Sequence, residues 1–300
     1  MLKRSSIRRI MLATFALIIT ILAINLFPVK DVKIKTKTYY KEASTSSIYL
    51  VDKNHYVART NIYVDNSDKL KLAKELVDAL INGTNKNKYL PDGFISLIPE
   101  NTKVLNITID GDTISLYFDE NILNVKKNDE EKMVESIVYT LTEIDGINNV
   151  KIFINDKELT TLPQSGRTLP FPLNRSIGIN RKSKITSIKN SKEVTTYFLA
   201  NNSDESYFIP VTFTTDDEGE KVEIIIKELK SSENIDSSLK TYLSASTLLK
   251  NYELKENEVN LEFNNNILNQ FNKIDEEVKY GIKLSIMDTY NVKSVNFNVK

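Results

Sequence analysis

Two adjacent carboxylates, Asp119 and Glu120, are the residues of this sequence best suited by type to acid–base chemistry. They belong to the segment TISLYFDENIL, which returns 145 residues later as EVNLEFNNNIL. The second segment keeps the apolar residues but carries Asn264 and Asn265 in place of the acids. An amide cannot act as a general acid or base at neutral pH. We therefore interpret the pair as polar residues that turn or cap the end of a strand, and rank a hydrolase as the weakest of three functions.

The other reactive side chains form no recognisable site. His55 is the only histidine and the chain has no cysteine, which excludes disulfides, thiolate zinc sites and a cysteine nucleophile. We expect His55 to be exposed near the start of a strand. The glycine-rich patterns of nucleotide-binding loops are absent, and residues 110–112 lack the further ligands of a calcium loop. The sequence thus predicts no catalytic residue, no metal ligand, no cofactor and no enzymatic activity.

The charge distribution divides the chain into a basic start and an acidic body. Residues 1–41 contain nine Lys and Arg against one acid, so the remainder carries a net charge of −8 although the whole chain is neutral. A nucleic-acid-binding surface needs a basic face that displaces counterions. The acidic body therefore argues against a nucleic-acid partner, while 300 residues at 41% hydrophobic content suffice for one large or two medium domains.

The N-terminus is predicted to be a membrane anchor. A basic tip, residues 1–9, precedes an uncharged apolar run, residues 10–27. Eighteen helical residues rise about 27 Å, close to the roughly 30 Å hydrocarbon core, and the basic tip favours a cytoplasmic N-terminus. A cleaved signal peptide is the alternative, although its apolar region is usually shorter and no A-x-A site follows. Residues 28–47 are also basic, which predicts a stalk beside lipid headgroups and leaves an inverted topology open.

A tandem duplication organises the rest of the chain. The interval of 145 residues holds without a gap from about residue 97 to residue 154, with apolar residues meeting apolar residues. Such register indicates two copies of one domain. We predict a first domain at residues 48–162 and a second at 194–300, joined by an extended, proline-containing linker at 163–193.

Each copy is predicted to fold as β-α-β-β-α-β, an α+β domain with its helices on one face of a mixed sheet. The expected strands of the first copy are residues 56–64, 104–110, 113–119 and 149–155, and the second copy is expected to place a helix at 217–231.

Three local signals fix the element ends in the first copy. Asp110-Gly111 predicts a hairpin turn, and Gly83 is expected to cap the C-terminus of the first helix. Asn128, with Glu131 three residues on, predicts a capping box at the start of the second helix.

The first copy resembles the GerMN domain of sporulation and germination proteins. The segment 172–180 also resembles the interdomain segment of two-domain members. The residues that carry the domain resemblance are Gly83-Thr84, the segment IPENTKV at 98–104, Gly111, Phe118, Asn121, the segment TLTEI at 140–144, and 150–154. The second copy lacks the IPENTK motif at 243–248, and we expect it to have lost the contact that this loop makes.

The resemblance implies an envelope protein of endospore-forming bacteria, because GerM of bacilli is linked to the channel complex between mother cell and forespore. It also implies small α+β domains similar to ring-building motifs, which associate side by side. We therefore expect this chain to be capable of self-association. GerM is a lipoprotein, whereas this chain has no cysteine for a lipid and has an apolar run instead.

The leading functional prediction is a non-enzymatic, membrane-anchored factor that assembles or stabilises the channel complex. Its partners would be channel-complex or other envelope proteins, and its domains would lie in the space between the mother-cell and forespore membranes. The alternative is a module that binds peptidoglycan or another glycan, with Tyr89, Tyr117 and Tyr139 as exposed stacking surfaces.

Overall fold

The computed structural model describes residues 44–185, 189–202, 206–233 and 235–300. The predicted basic tip, the apolar run 10–27 and the stalk up to residue 43 lie outside these ranges. Within the described ranges, no helix has both the length and the apolar character needed to cross a membrane. Residues Ala43–Lys300 form one compact unit.

The first copy contains two hairpins, two helices and a closing strand, with two short strands added. Its elements are β1 (Ser44–Asp52), β2 (Val57–Val64), α1 (Lys69–Leu80), β3 (Phe94–Ile95), β4 (Val104–Asp110), β5 (Thr113–Phe118), α2 (Glu130–Leu141), β6 (Asn149–Ile154) and β7 (Lys157–Glu158).

The second copy repeats this order after a short strand in the connecting segment. Its elements are β8 (Lys182–Lys184), β9 (Lys192–Asn201), β10 (Ser206–Thr215), α3 (Lys221–Lys230), β11 (Leu249–Leu254), β12 (Glu258–Phe263), α4 (Glu276–Tyr290) and β13 (Ser294–Val299). Strands β11, β12 and β13 begin 145 residues after β4, β5 and β6, as the repeat predicts. The helix predicted at 217–231 is confirmed, since tertiary context overrides the β-branched composition of α3.

The predicted order β-α-β-β-α-β is incomplete, because each copy begins with a further strand. Strands β1 and β9 precede the elements recognised from sequence, and β1 starts at Ser44, inside the range assigned to the stalk. Residues 48–51 of β1 are all fully buried. A strand buried on both faces shows no alternation of apolar and polar residues, which is the signal that strand prediction relies on.

The described residues of the two copies form three sheets. Strands β4 to β7 form a mixed sheet in the first copy and β11 to β13 form one in the second, with the parallel partners linked through α2 or α4. The mixed sheets are therefore confirmed. The opening hairpins join instead into one shared sheet, in which β2 and β10 meet at a single pair, Arg59 and Phe208.

Side chains bind the backbone at both ends of α1. Asp68 caps α1, and its carboxylate accepts a hydrogen bond of 2.8 Å from Lys71 N. The predicted cap at Gly83 is wrong, since the helix ends at Leu80 and Gly83 lies in the following turn with φ +78°. Thr84 takes the capping role, because its hydroxyl donates to Asp78 O at 2.9 Å.

The capping box predicted for Asn128 and Glu131 is also wrong. Helix α2 starts at Glu130, and its N-cap residue makes no side-chain hydrogen bond. The first-turn acids bind the connecting segment instead: Glu130 accepts from Gln164 N and Ser165 N, both at 2.9 Å. Negative charge in the first turn is still favoured by the helix dipole.

The described residues form two hydrophobic cores, one centred on each copy, and Tyr56 and Ala58 of the first copy contribute to the second core. Leu116 and Phe118 lie fully buried in the first core, and their counterparts Leu261 and Phe263 lie fully buried in the second. The repeat therefore preserved packing residues, as interpreted from sequence. The connecting segment, assigned to an extended linker, contributes Leu169, Leu173, Ile177 and Ile179 to the first core.

Substitution of equivalent core residues should loosen one copy at a time. We expect Phe118→Ala and Phe263→Ala each to lower the free energy of unfolding by about 3–5 kcal/mol, since each leaves a cavity in a separate core. Urea unfolding gives the magnitude, and amide hydrogen exchange should accelerate mainly in the sheet of the altered copy. Phe271→Ala, at a side chain 72% exposed, is the control with little effect. Equal acceleration in both copies would contradict two separate cores.

Candidate functional site

A group of buried and half-buried charged and phenolic side chains lies where the two copies meet. We call it the seam, and it consists of Tyr49, Arg59, Glu143, Arg175, Tyr197 and Asp288. Tyr49 and Tyr197, from the first strand of each copy, are both fully buried, and their hydroxyl oxygens lie 3.1 Å apart. The duplicated strands thus bring equivalent residues face to face.

The backbone of each tyrosine is held in the same way. Tyr49 N donates to Thr140 Oγ1 and Tyr197 N donates to Ser285 Oγ, both at 2.9 Å. Thr140 and Ser285 are separated by the repeat interval of 145 residues. The helix of each copy is therefore fastened to its first strand by a conserved type of contact, a hydroxyl that accepts from a backbone amide.

The tyrosine hydroxyls repeat the pattern. Tyr49 donates to Glu143 Oε1 at 3.0 Å, and Tyr197 donates to Asp288 Oδ2 at 2.7 Å. Glu143 and Asp288 are again 145 residues apart. The two acids therefore form an equivalent pair, one from each copy.

Arg175, from the connecting segment, joins the two acids. Its Nη2 donates to Glu143 Oε1 at 2.6 Å and its Nη1 donates to Asp288 Oδ1. Its Nε donates to Thr142 Oγ1 at 2.9 Å, and the guanidinium carbon lies 4.9 Å from the ring centroid of Tyr139. A planar guanidinium suits this position, because it presents several donors in fixed directions and stacks on aromatic rings.

Arg59 connects Glu143 of the first copy to the second copy. It donates to Glu143 Oε2 at 3.2 Å and to the hydroxyl of Tyr280 in the second copy at 2.6 Å. Burial alone would raise the pKa of the Glu143 carboxyl, but Arg175 and Arg59 outweigh that effect and lower it to about 2. The seam therefore holds Glu143 as a carboxylate at any ordinary pH.

Asn180 ties the shared sheet together at its centre. Its Nδ2 donates to Val57 O in β2 and to Pro210 O in β10, both at 2.7 Å. Its backbone amide donates to Glu135 Oε2 at 3.1 Å, while burial raises the pKa of the Glu135 carboxyl to about 7. A residue assigned to the linker thus bonds to both copies.

A groove of about 690 Å³ opens beside Arg59, and we call it the aromatic groove. Its lining includes Tyr63, Tyr89, Asp92 and Phe94 from the first copy and Phe208 and Tyr280 from the second. It lies next to the seam because Arg59 and Tyr280 belong to both its wall and the seam contacts.

Of the two carboxylates singled out in the sequence, Asp119 has a structural role. Asp119 Oδ1 accepts from Lys103 N at 3.0 Å, and Asn264 Oδ1 accepts from Leu248 N at 2.9 Å, at the equivalent place in the second copy. An amide oxygen replaces a carboxylate oxygen without loss of the contact. The interpretation of Asp119 as a strand-end residue is therefore confirmed, and Glu120 begins the exposed turn that follows.

The loop that carries the IPENTK motif in the first copy has an internal anchor, and the equivalent loop of the second copy has the same one. The loss of the motif's own contact in the second copy stays a prediction. Asn121 Nδ2 donates to Asn101 O at 3.2 Å, and Asn266 Nδ2 donates to Ser246 O at 2.9 Å. These contacts use a backbone carbonyl as acceptor. The side chains of the motif were therefore free to change while the loop kept its conformation.

The three tyrosines proposed as stacking surfaces have different environments. Tyr89 is 74% exposed, and Tyr139 is fully buried, so the expectation for Tyr139 is wrong. Tyr117 is half-buried and stacks on Phe153 with ring centroids 4.6 Å apart. His55 is exposed in the turn between β1 and β2, as expected.

Sequence reasoning missed the seam, although a signal for it was present. The repeat exchanges Thr140 for Ser285 and Glu143 for Asp288, which keeps a hydroxyl and an acid on one helix in each copy. A comparison restricted to apolar positions overlooks such exchanges. Arg175 gives no signal of this kind, because the connecting segment has no second copy.

Comparison with known proteins identifies the family. Residues 39–160 match the family model described as Germane, sporulation and spore germination. The chain is 33% identical over 260 residues to the spore germination protein GerM of Bacillus subtilis (strain 168), covering 84% of this chain and 70% of that protein. The chain belongs to the GerM family of sporulation and spore germination proteins.

The solved structure of the tandem GerMN domains of GerM from Bacillus subtilis extends the similarity to both copies. It superposes on this chain with a TM-score of 0.76 at 32% identity, covering 86% of this chain and 91% of that one. The two copies are therefore tandem GerMN domains, and the seam lies between them.

The pH dependence of stability should reveal the contribution of the Glu143 ion pairs in the seam. A carboxyl whose pKa falls from 4.5 in the unfolded chain to about 2 in the fold adds stability that is fully present above about pH 5 and is lost as the pH falls towards 2. We expect Glu143→Gln to lower the free energy of unfolding at pH 7 by about 3 kcal/mol, because the half-buried guanidinium groups of Arg59 and Arg175 lose a charged partner.

Urea unfolding between pH 2.5 and pH 7 tests this. The acid decline should be shallower in Glu143→Gln than in the parent. Glu276→Gln, at a side chain 87% exposed, should follow the parent curve. An equally steep decline in Glu143→Gln would show that the acid sensitivity originates elsewhere.

Because the second copy carries Asn264 where the first carries Asp119, position 119 is predicted to tolerate an amide. We expect Asp119→Asn to change the free energy of unfolding by less than about 0.5 kcal/mol, whereas Asp119→Ala should cost about 1–2 kcal/mol because Lys103 N loses its acceptor. Urea unfolding measures both. Spore yield should be unchanged in the double variant Asp119→Asn, Glu120→Gln; a folded but inactive double variant would instead support a hydrolase.

Proposed function

We propose that this chain is a non-enzymatic, membrane-anchored envelope protein of sporulation that assembles or stabilises the channel complex between mother cell and forespore. Residues 10–27 serve as the anchor, with residues 1–9 in the cytoplasm. The GerMN domains then lie in the space between the two membranes, where they contact channel proteins.

The seam is the observation that supports a scaffolding role. Its charged and phenolic groups bind one another across the two domains, and Arg175 reaches both acids. The shared sheet and Asn180 add backbone contacts between the copies. Domains joined in this way present their outer faces at a fixed spacing, which suits a protein that holds others in place.

The sheet edges indicate how partners are engaged. Strands β4 and β11 lie at equivalent edges, and both are interrupted by a bulge, at Leu105 and at Lys250. Bulges on edge strands disfavour the addition of a further strand. Contacts with channel proteins, or with a second copy of this chain, are therefore proposed to use domain faces and not these edges.

Cross-linking in sporulating cells tests the leading proposal. A deletion strain should lose spore yield, and the full chain should restore it and cross-link to channel-complex proteins. A chain whose residues 10–27 are replaced by an unrelated membrane-spanning helix should restore spore yield and cross-link as the full chain does, since this apolar run serves only as an anchor. Normal spore yield after deletion, with no channel protein recovered, would refute the proposal.

Binding of peptidoglycan is the second candidate, and the aromatic groove is the observation that favours it. Exposed tyrosines around a polar-lined groove suit carbohydrate rings. Cosedimentation with purified cell wall separates the candidates, because a protein that only holds channel components would stay in the supernatant.

A further inference from the structure

The aromatic groove exists because the shared sheet is only partly closed. Strands β2 and β10 meet at Arg59 and Phe208, and no other pair joins them among the described residues. Beyond that pair lies a space bounded by the segment 89–94 of the first domain and by Tyr280 on α4 of the second. The groove is thus a product of the domain arrangement and is absent from either domain alone.

The exposed tyrosines of the described residues are all found in this groove. Tyr63 is 69% exposed, Tyr89 is 74% exposed and Tyr280 is 40% exposed, and the other described tyrosines are buried or half-buried. Exposed hydrophobic residues scattered singly need no explanation, but a concentration of one aromatic type at one concave surface indicates a binding site.

The polar groups of the groove select the kind of ligand. The Asp92 carboxylate and the hydroxyls of Thr60, Tyr63 and Tyr89 make no hydrogen bond to any described residue. Arg59 is the one cation among the described lining residues, and Glu143 already pairs with it. Among the described lining residues, a free carboxylate without a free cation disfavours nucleic acid, phosphate and acidic peptides as ligands.

Carbohydrate fits both the exposed tyrosine rings and the charge of the groove. A sugar ring has a C–H face that packs on the faces of tyrosine rings, and a rim of hydroxyls that bind carboxylate and hydroxyl groups. The volume of about 690 Å³ lies within the range of roughly 300–1,000 Å³ typical of small-ligand sites. We infer that the aromatic groove binds a glycan strand such as that of peptidoglycan, a site that rests on the second function proposed above.

Binding to two probes tests the inference. The full chain in mild detergent is mixed with purified peptidoglycan, for cosedimentation, and with a soluble N-acetylglucosamine tetramer, for calorimetry. The double variant Tyr63→Ala, Tyr89→Ala should bind both probes about tenfold more weakly, and Asp92→Asn should weaken binding by a few fold. Because these side chains are exposed, the thermal midpoint should stay close to that of the parent.

Phe271→Ala is the matched control, since that ring is 72% exposed and lies outside the groove; it should bind as the parent does. Equal binding by the parent and the double variant, or no binding by the parent, would overturn the inference. Recovery of a protein instead of glycan from a photo-crosslinker at position 89 would overturn it too.

Cross-linking to channel proteins, measured on the same double variant, keeps the two proposals apart. Loss of glycan binding with channel cross-links retained supports the inference, whatever the channel role. Loss of the cross-links with glycan binding unchanged would overturn the inference and identify the groove as a protein-docking surface.

Discussion

The meeting of Tyr49 and Tyr197 at the seam is the constraint on which the rest of the structure depends. Each hydroxyl binds an acid of its own domain, and Arg175 binds both acids. Charges placed away from water are costly unless every one is paired and hydrogen-bonded. The relative position of the two domains is therefore closely specified, since a shift of either helix would leave a half-buried charge without its partner.

The shared sheet, the connecting segment and the groove follow from that arrangement. Bringing the tyrosines together places the opening hairpins side by side, where Arg59 meets Phe208. Residues 163–185 lie against both domains, and Asn180 bonds β2 to β10. The groove remains where the two strands part. Stability and a concave surface thus arise from one interface, while each domain keeps its own core.

Duplication explains why some residues changed and others did not. Asp119 and Asn264 differ in charge but accept the same backbone hydrogen bond, so that position tolerated the change. Glu143 and Asp288 both bind Arg175, so an acid was required at each. Chemical type was kept where a charged partner demanded it and varied where the partners were uncharged amides.

The sequence by itself determined the domain pair, the positions of β4 to β6 and β11 to β13, and the buried faces of those strands, because the repeat and the period of apolar residues are local signals. It also determined that Asp119 is structural, since Asn264 stands in its place. Only the tertiary structure decided the pairing of Tyr49 with Tyr197, the role of Arg175 and the groove. Those contacts join residues more than 100 positions apart or come from a segment without a repeat, and pairing at that distance depends on how whole domains pack.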